Sequence, residues 1–221
     1  LNDGNMTLTE TAPSAIEITV KNLGKKFNRE WIFKNLNYTF RPAHIYAVTG
    51  PNGAGKSTLL QVLWGQLPPS VGEIKYMAST GEVPIDEIFK HLVIATPYLD
   101  LIEEFTLLEH LQFHFKLKKS RSNMTVADIL EKLELQHAAD KQIGNFSSGM
   151  RQRVKLGLAF FTEGNLIFLD EPTTNLDAEA TAWYQQNLNN LPGHCTIFIA
   201  SNQPSEYPPT AHIINILDLK K

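Results

Sequence analysis

Residues 44–58 read HIYAVTGPNGAGKST, and this stretch decides the fold. His44–Thr49 is a nearly continuous apolar run, as expected of a strand buried on both faces. A glycine-rich loop follows, and residues 56–65 are compatible with a helix. Glycines let a backbone wrap tightly enough for successive N–H groups to point at one anion. The N-terminus of the following helix adds partial positive charge. The spacing Gly50-x4-Gly55-Lys56-Ser57 is the Walker A pattern, in which Lys56 reaches the outer phosphates and the Ser57 hydroxyl is a Mg2+ ligand. Candidate contacts run through Gly50, Pro51, Asn52, Gly53, Ala54, Gly55, Lys56, Ser57 and Thr58. The plain alternative is a glycine-rich turn. A chance match somewhere in a chain of this length is on the order of 1%, and the strand–loop–helix context lowers it further. The pattern is not the dinucleotide signature GxGxxG.

Working outward, Leu92–Thr96, Leu166–Leu169 and Cys195–Ala200 are further apolar runs of the same kind. Helix-compatible segments lie at 56–65, 106–119, 125–135, 148–162 and 178–190. Alternating buried strands and helices imply a three-layer α/β domain with a mostly parallel sheet. Before it, IEITV, WIF and LNYTF between Ile16 and Phe40 alternate with period two, which predicts short antiparallel strands with one wet face. The stretch 100–146 holds two helical patterns and no strand, as in a helical insertion. Thr106 and Glu109 have capping-box spacing for the first of its helices. Residues 1–14 are polar and are expected to form a flexible N-terminal tail, leaving 15–221 as one domain.

Residues 168–177 read FLDEPTTNLD, so an apolar run ends in two adjacent carboxylates. Like charges at the mouth of a buried strand repel and resist desolvation. Beside a Walker A loop the pair makes chemical sense. Asp170 can hold a magnesium ion, and Glu171, one peptide further, can orient and deprotonate attacking water. On their own the two would read as exposed loop acids.

Bulk properties exclude several classes. The 221 residues carry a net charge of −3, so no global field favours nucleic acid. No apolar run approaches the roughly 18 residues needed to cross a bilayer, so a membrane role must come through a partner. The single cysteine, Cys195, sits in an apolar run and reads as a buried thiol. The basic run from Lys116 to Arg121 reads as a solvated helix end. His110 and His114, four apart, have the spacing of a metal pair without a third ligand; the simpler reading is a helix surface. A guanine-reading NKxD element is absent.

With these motifs in hand, the sequence resembles the ATP-binding subunits of the ABC transporter family, of the compact single-domain type, from about residue 16 to 217. Asp170-Glu171 looks like Walker B with the catalytic glutamate, and Asn175-Leu176-Asp177 looks like the D-loop. Phe146-Ser147-Ser148-Gly149-Met150 stands where the family carries LSGGQ; Ser147 and Gly149 match, the other three depart. The resemblance implies a P-loop NTPase with a RecA-like core, an antiparallel β subdomain and an inserted helical subdomain. It implies ATP and Mg2+ as cofactors. It also implies a head-to-tail dimer in which Ser147, Ser148 and Gly149 contact ATP held by the second ATP-binding subunit. Phe27 takes the place of the aromatic that stacks on adenine.

Two family positions are off-pattern. Tyr98 falls where a glutamine usually stands, and Asn202 falls on the switch histidine that contacts the γ-phosphate. Asparagine can donate a hydrogen bond but cannot carry a proton charge. The implied function is Mg-ATP hydrolysis, with Glu171, Lys56 and Asn202 as catalytic groups. It would drive transport through a separate membrane-spanning subunit at the cytoplasmic face. Two alternatives stay open: an ABC-type ATPase doing soluble assembly work, and an ATP-binding module with weak hydrolysis.

Overall fold

The computed structural model describes residues 15–220. The expected N-terminal tail, 1–14, lies outside them. Two sheets form the frame. Strands β1 (Glu17–Phe27), β2 (Glu30–Phe40), β4 (Val71–Ala78) and β5 (Gly81–Val83) make an antiparallel sheet in the order β2-β1-β4-β5. Strands β3 (Ile45–Thr49), β6 (Leu92–Ala95), β7 (Leu166–Asp170), β8 (Thr196–Ala200) and β9 (His212–Asn215) make a parallel sheet in the order β6-β7-β8-β3-β9.

The continuous apolar strands are explained by two cores, one on each face of the parallel sheet. Leu166 and Phe168 of β7, with Phe198 and Ala200 of β8, join a core with the antiparallel sheet and α1 (Lys56–Leu63). Their alternates, Ile167, Leu169, Ile197 and Ile199, join a second core with α4 (Ser148–Phe161), α5 (Ala178–Asn189) and the helices α2 (Leu107–Leu117) and α3 (Val126–Leu133). A period of two on a strand wet on one face would leave half these positions polar; here both faces are dry. In the first core Phe168 and Phe198 stack with ring centroids 4.6 Å apart.

Helices α2 and α3 lie between β6 and α4 with no strand between them. Each begins in a capping box, Thr106 with Glu109 and Thr125 with Asp128, so their first turns satisfy their own N–H groups.

Several local expectations need correction. The segments WIF and LNYTF are one strand, β2. The intervening polar Lys34-Asn35 is a bulge, with Asn35 at φ 59, a conformation asparagine tolerates. Strands β4, β5 and β9 lack an apolar pattern because most of their residues are exposed or half-buried; Tyr76 and Ile214 are their buried hydrophobes. The basic run is not a freely solvated helix end. Arg121 donates to the carbonyls of Phe160, Thr162 and Gly164, pinning the chain beyond α4. Nor are His110 and His114 on a helix surface. His110 is buried, and His114 Nε2 lies 2.8 Å from the Thr162 hydroxyl. Burial lowers the pKa of His114 to about 4, so its ring is neutral at physiological pH. Cys195 is buried and free, and burial pushes its thiol up.

Candidate nucleotide-binding site

The carboxyl ends of three parallel strands meet at one edge. Val48 of β3 pairs with Ala200 of β8, and Ala200 pairs with Asp170 of β7. In open α/β sheets this edge is where ligands bind. The loop of residues 50–55 leaves β3 there and runs into α1 at Lys56. Gly50 and Gly55 sit at φ 142 and 108, in the region L side chains avoid. A Cβ on Gly50 would lie 2.6 Å from Ile216 Cγ2, and one on Gly55 would collide with Ile32. The spacing of glycines is therefore set by backbone turn and close packing together. Gly55 caps α1 without any side-chain hydrogen bond, so the first-turn N–H groups have no side chain competing for them. Lys56 is buried, and its ammonium donates to the carbonyls of Gly50 (3.0 Å) and Pro51 (3.3 Å), holding a cation inside the loop.

Asp170 is 1% exposed. Its pKa is raised to about 6, chiefly by burial, with Glu171 and Glu206 adding repulsion and with the Ser57 hydrogen bond and Lys56 opposing. Asp170 Oδ1 is a buried acceptor without a hydrogen-bond partner among the described groups. A buried, unsatisfied carboxylate oxygen next to a hydroxyl is a hard-oxygen donor set, which suits Mg2+. The residues present fit that ion, and Ser57 and Asp170 are the side chains that could hold it.

The raised pKa makes a stability prediction. The folded chain holds the Asp170 proton about two pH units more tightly than the unfolded chain, worth on the order of 3 kcal/mol. That stabilisation is complete below pH 3.8, the ordinary value, and is lost as pH rises through about 6. Asp170→Asn should therefore melt close to wild type at pH 4 and well above it at pH 7, both without Mg2+. A melting difference independent of pH would contradict the burial of this charge.

Glu171 follows at φ 46, unusual for a residue with a side chain. Its N–H donates to Ala200 O at 2.9 Å, and its carbonyl accepts from Thr174 N–H at 3.1 Å. Asn202, just past β8, donates from Nδ2 to Asn52 Oδ1 at 3.1 Å across 150 residues of sequence. The Walker A loop, Asp170 with Glu171, and Asn202 thus converge on one edge. Phe27 ends β1 on the antiparallel sheet and is 46% exposed, so it is not a strand core residue. Lys25 Nζ lies 5.2 Å from its ring centroid.

The signature-like residues gather elsewhere. Ser147 caps α4, accepting from Met150 N–H at 3.2 Å. A Cβ on Gly149 would lie 3.0 Å from the Asn175 carbonyl, so α4 opens tight against the segment before α5. Ser147, Ser148, Gly149 and Asn175 line one groove. Tyr98, in the loop after β6, is 75% exposed, while Pro97 O beside it accepts from Lys155 at 3.0 Å.

Sequence reasoning passed over two residues. Gln152 is buried and donates to Pro172 O at 2.8 Å, and buried Glu206 accepts from Thr173 N–H at 3.0 Å. Both act on backbone groups far away in sequence, and such contacts leave no spacing pattern.

Comparison with known proteins supplies a family context. The family model described as ABC transporter matches residues 33–174. The zinc import ATP-binding protein ZnuC of Buchnera aphidicola subsp. Schizaphis graminum is 31% identical over 189 residues, covering 84% of this chain and 74% of that protein. Nod factor export ATP-binding protein I of Burkholderia lata is 32% identical over 181 residues, covering 79% of this chain; the chain spans only 58% of that protein's length. Among solved structures, a dimeric ATP-binding cassette in a post-hydrolysis state with ADP and Pi superposes with a TM-score of 0.75 at 23% identity, covering 90% of this chain and 93% of that one. At that identity the likeness speaks for the fold, which is that of the P-loop NTPases.

Proposed function

The chain belongs to the ABC transporter family, and from that premise we propose that it is an ATPase subunit acting at a head-to-tail interface with a second ATP-binding subunit. Residues Gly50 to Thr58 hold the phosphates, Ser57 and Asp170 hold Mg2+, and Phe27 stacks on adenine. Bound Mg2+ neutralises charge on the phosphates and relieves the repulsion between Asp170 and Glu171. Glu171 accepts the proton of the attacking water. Asn202 donates a hydrogen bond towards the γ-phosphate. Ser147, Ser148 and Gly149 complete the second subunit's site, where a helix N-terminus offers N–H groups to phosphate. The domain spans 15–221, with a helical subdomain at about 100–146.

The observation that carries this reading is the buried, unpartnered Oδ1 of Asp170 at the strand edge that also holds Lys56. Among the described residues no helix is long and apolar enough to cross a membrane. In this reading the transport step falls to a separate membrane-spanning partner, with this subunit peripheral on the cytoplasmic face. Co-purification of a multi-spanning protein supports that assignment. Its absence, with ATPase activity intact, favours soluble assembly work instead.

The contact between Asn202 and Asn52 makes a further prediction. A hydrogen bond realised only in the transition state alters turnover, whereas one present throughout alters affinity. Asn202→His restores a charge-assisted donor, worth about 1.5–3 kcal/mol. It should raise turnover by roughly tenfold or more while nucleotide affinity stays nearly constant. Steady-state phosphate release by wild type, Asn202→His and Asn202→Ala checks this. Equal rates in all three would remove Asn202 from the γ-phosphate.

A further inference from the structure

Glu171 holds a left-handed backbone conformation, which persists only where its surroundings over-determine it. Its N–H is fixed on Ala200 O. On its carboxyl side the chain is gripped at Thr173, whose N–H and hydroxyl both donate to Glu206 Oε1. Glu206 is 1% exposed. It closes the turn that carries Asn202, and that turn is internally hydrogen-bonded. The Ser201 hydroxyl accepts from Gln203 N–H at 2.8 Å, and Glu206 N–H donates to Gln203 O at 3.1 Å. From behind, the Tyr184 hydroxyl donates to Glu206 O at 2.7 Å, anchoring the turn to α5.

We propose that Glu206 is a positioning residue for ATP hydrolysis: its buried carboxylate clamps Thr173 and so ties the Glu171 turn to the Asn202 turn as one rigid unit. The proposal rests on the assignment of Glu171 as base, and it adds a group outside the motifs. Glu206 does not touch nucleotide. It acts by keeping the base within the narrow range of positions from which proton transfer is efficient, where a displacement of about 1 Å can slow a reaction by a hundredfold. A glutamate is suited to this task because one carboxylate oxygen can accept two donors from the same residue.

The test uses the whole chain with Mg-ATP. Glu206→Ala should lower kcat by about tenfold to a hundredfold and leave KM within roughly twofold. Glu206→Gln, whose amide oxygen still accepts from Thr173, should retain about half of wild-type kcat or more. In a Glu171→Gln background Glu206→Ala should add no further loss, because two groups acting as one unit are not additive. Additive losses, an equal fall in affinity, or unchanged kcat in Glu206→Ala would each overturn the proposal. If Glu171→Gln itself turns over like wild type, the base assignment has failed, and amide exchange at Thr173 then reads the clamp directly. Faster exchange in Glu206→Ala supports the clamp, and unchanged exchange overturns it.

Discussion

Lys56→Ala is expected to weaken Mg-ATP binding by roughly a hundredfold or more. The buried ammonium bonds two carbonyls of its own loop, at 3.0 and 3.3 Å, so it is already fixed within the loop proposed to hold the phosphates. A charge-assisted bond from such a group is worth about 1.5–3 kcal/mol, and outer phosphates take more than one. Removing the side chain also frees the carbonyls of Gly50 and Pro51 from their shared donor and loosens the loop. Calorimetric titration with Mg-ATP measures the loss, and a thermal melt of the variant checks that the fold survives. Binding as tight as wild type would disqualify the 50–58 loop as the phosphate site.

Glu171→Gln is expected to keep nucleotide affinity and to lower turnover by about 10²–10⁴-fold, the usual contribution of a positioned general base. The amide matches the carboxylate in size, so the left-handed turn at φ 46 and its bonds to Ala200 and Thr174 are preserved. What disappears is the capacity to take a proton. ATP bound between subunits would then persist, and dimers should accumulate with Mg-ATP and disperse with ADP. Gel filtration reads this. A variant that stays monomeric with Mg-ATP while binding it tightly would argue against the sandwich dimer.

The sequence revealed most of the fold wherever burial was two-sided. β3, β6, β7 and β8 read as strands because both faces of the parallel sheet are covered and nearly every position is apolar. β4 escaped notice because its residues VGEIKYMA are mostly exposed, with one buried side chain, Tyr76. β9 likewise buries only Ile214. Strands buried on one face at most carry little hydrophobic signal. β2 looked interrupted because a bulge needs a residue tolerant of positive φ, and Asn35 in a strand resembles a turn.

The site divides in the same way. Gly50 to Thr58 and Asp170-Glu171 are contiguous, so their chemistry is visible as a string. Asn202 drew attention only through resemblance, and its contact with Asn52 spans 150 residues. Glu206 and Gln152 were invisible because they grip Thr173 and Pro172 across 33 and 20 residues of sequence, where no spacing pattern marks the contact. His110 and His114 show the reverse error. Four-residue spacing suggested a metal pair, with a helix surface as the simpler reading, but that face of α2 turns inward, leaving His110 buried and His114 against Thr162.

Phosphate release from Mg-ATP by wild type and Glu171→Gln, at equal nucleotide occupancy, tests whether Glu171 performs base chemistry on nucleotide held in the 50–58 loop. Wild type is expected to release phosphate in a Mg2+-dependent manner, and Glu171→Gln to release it at least about a hundredfold more slowly. Release by Glu171→Gln at the wild-type rate would contradict that role.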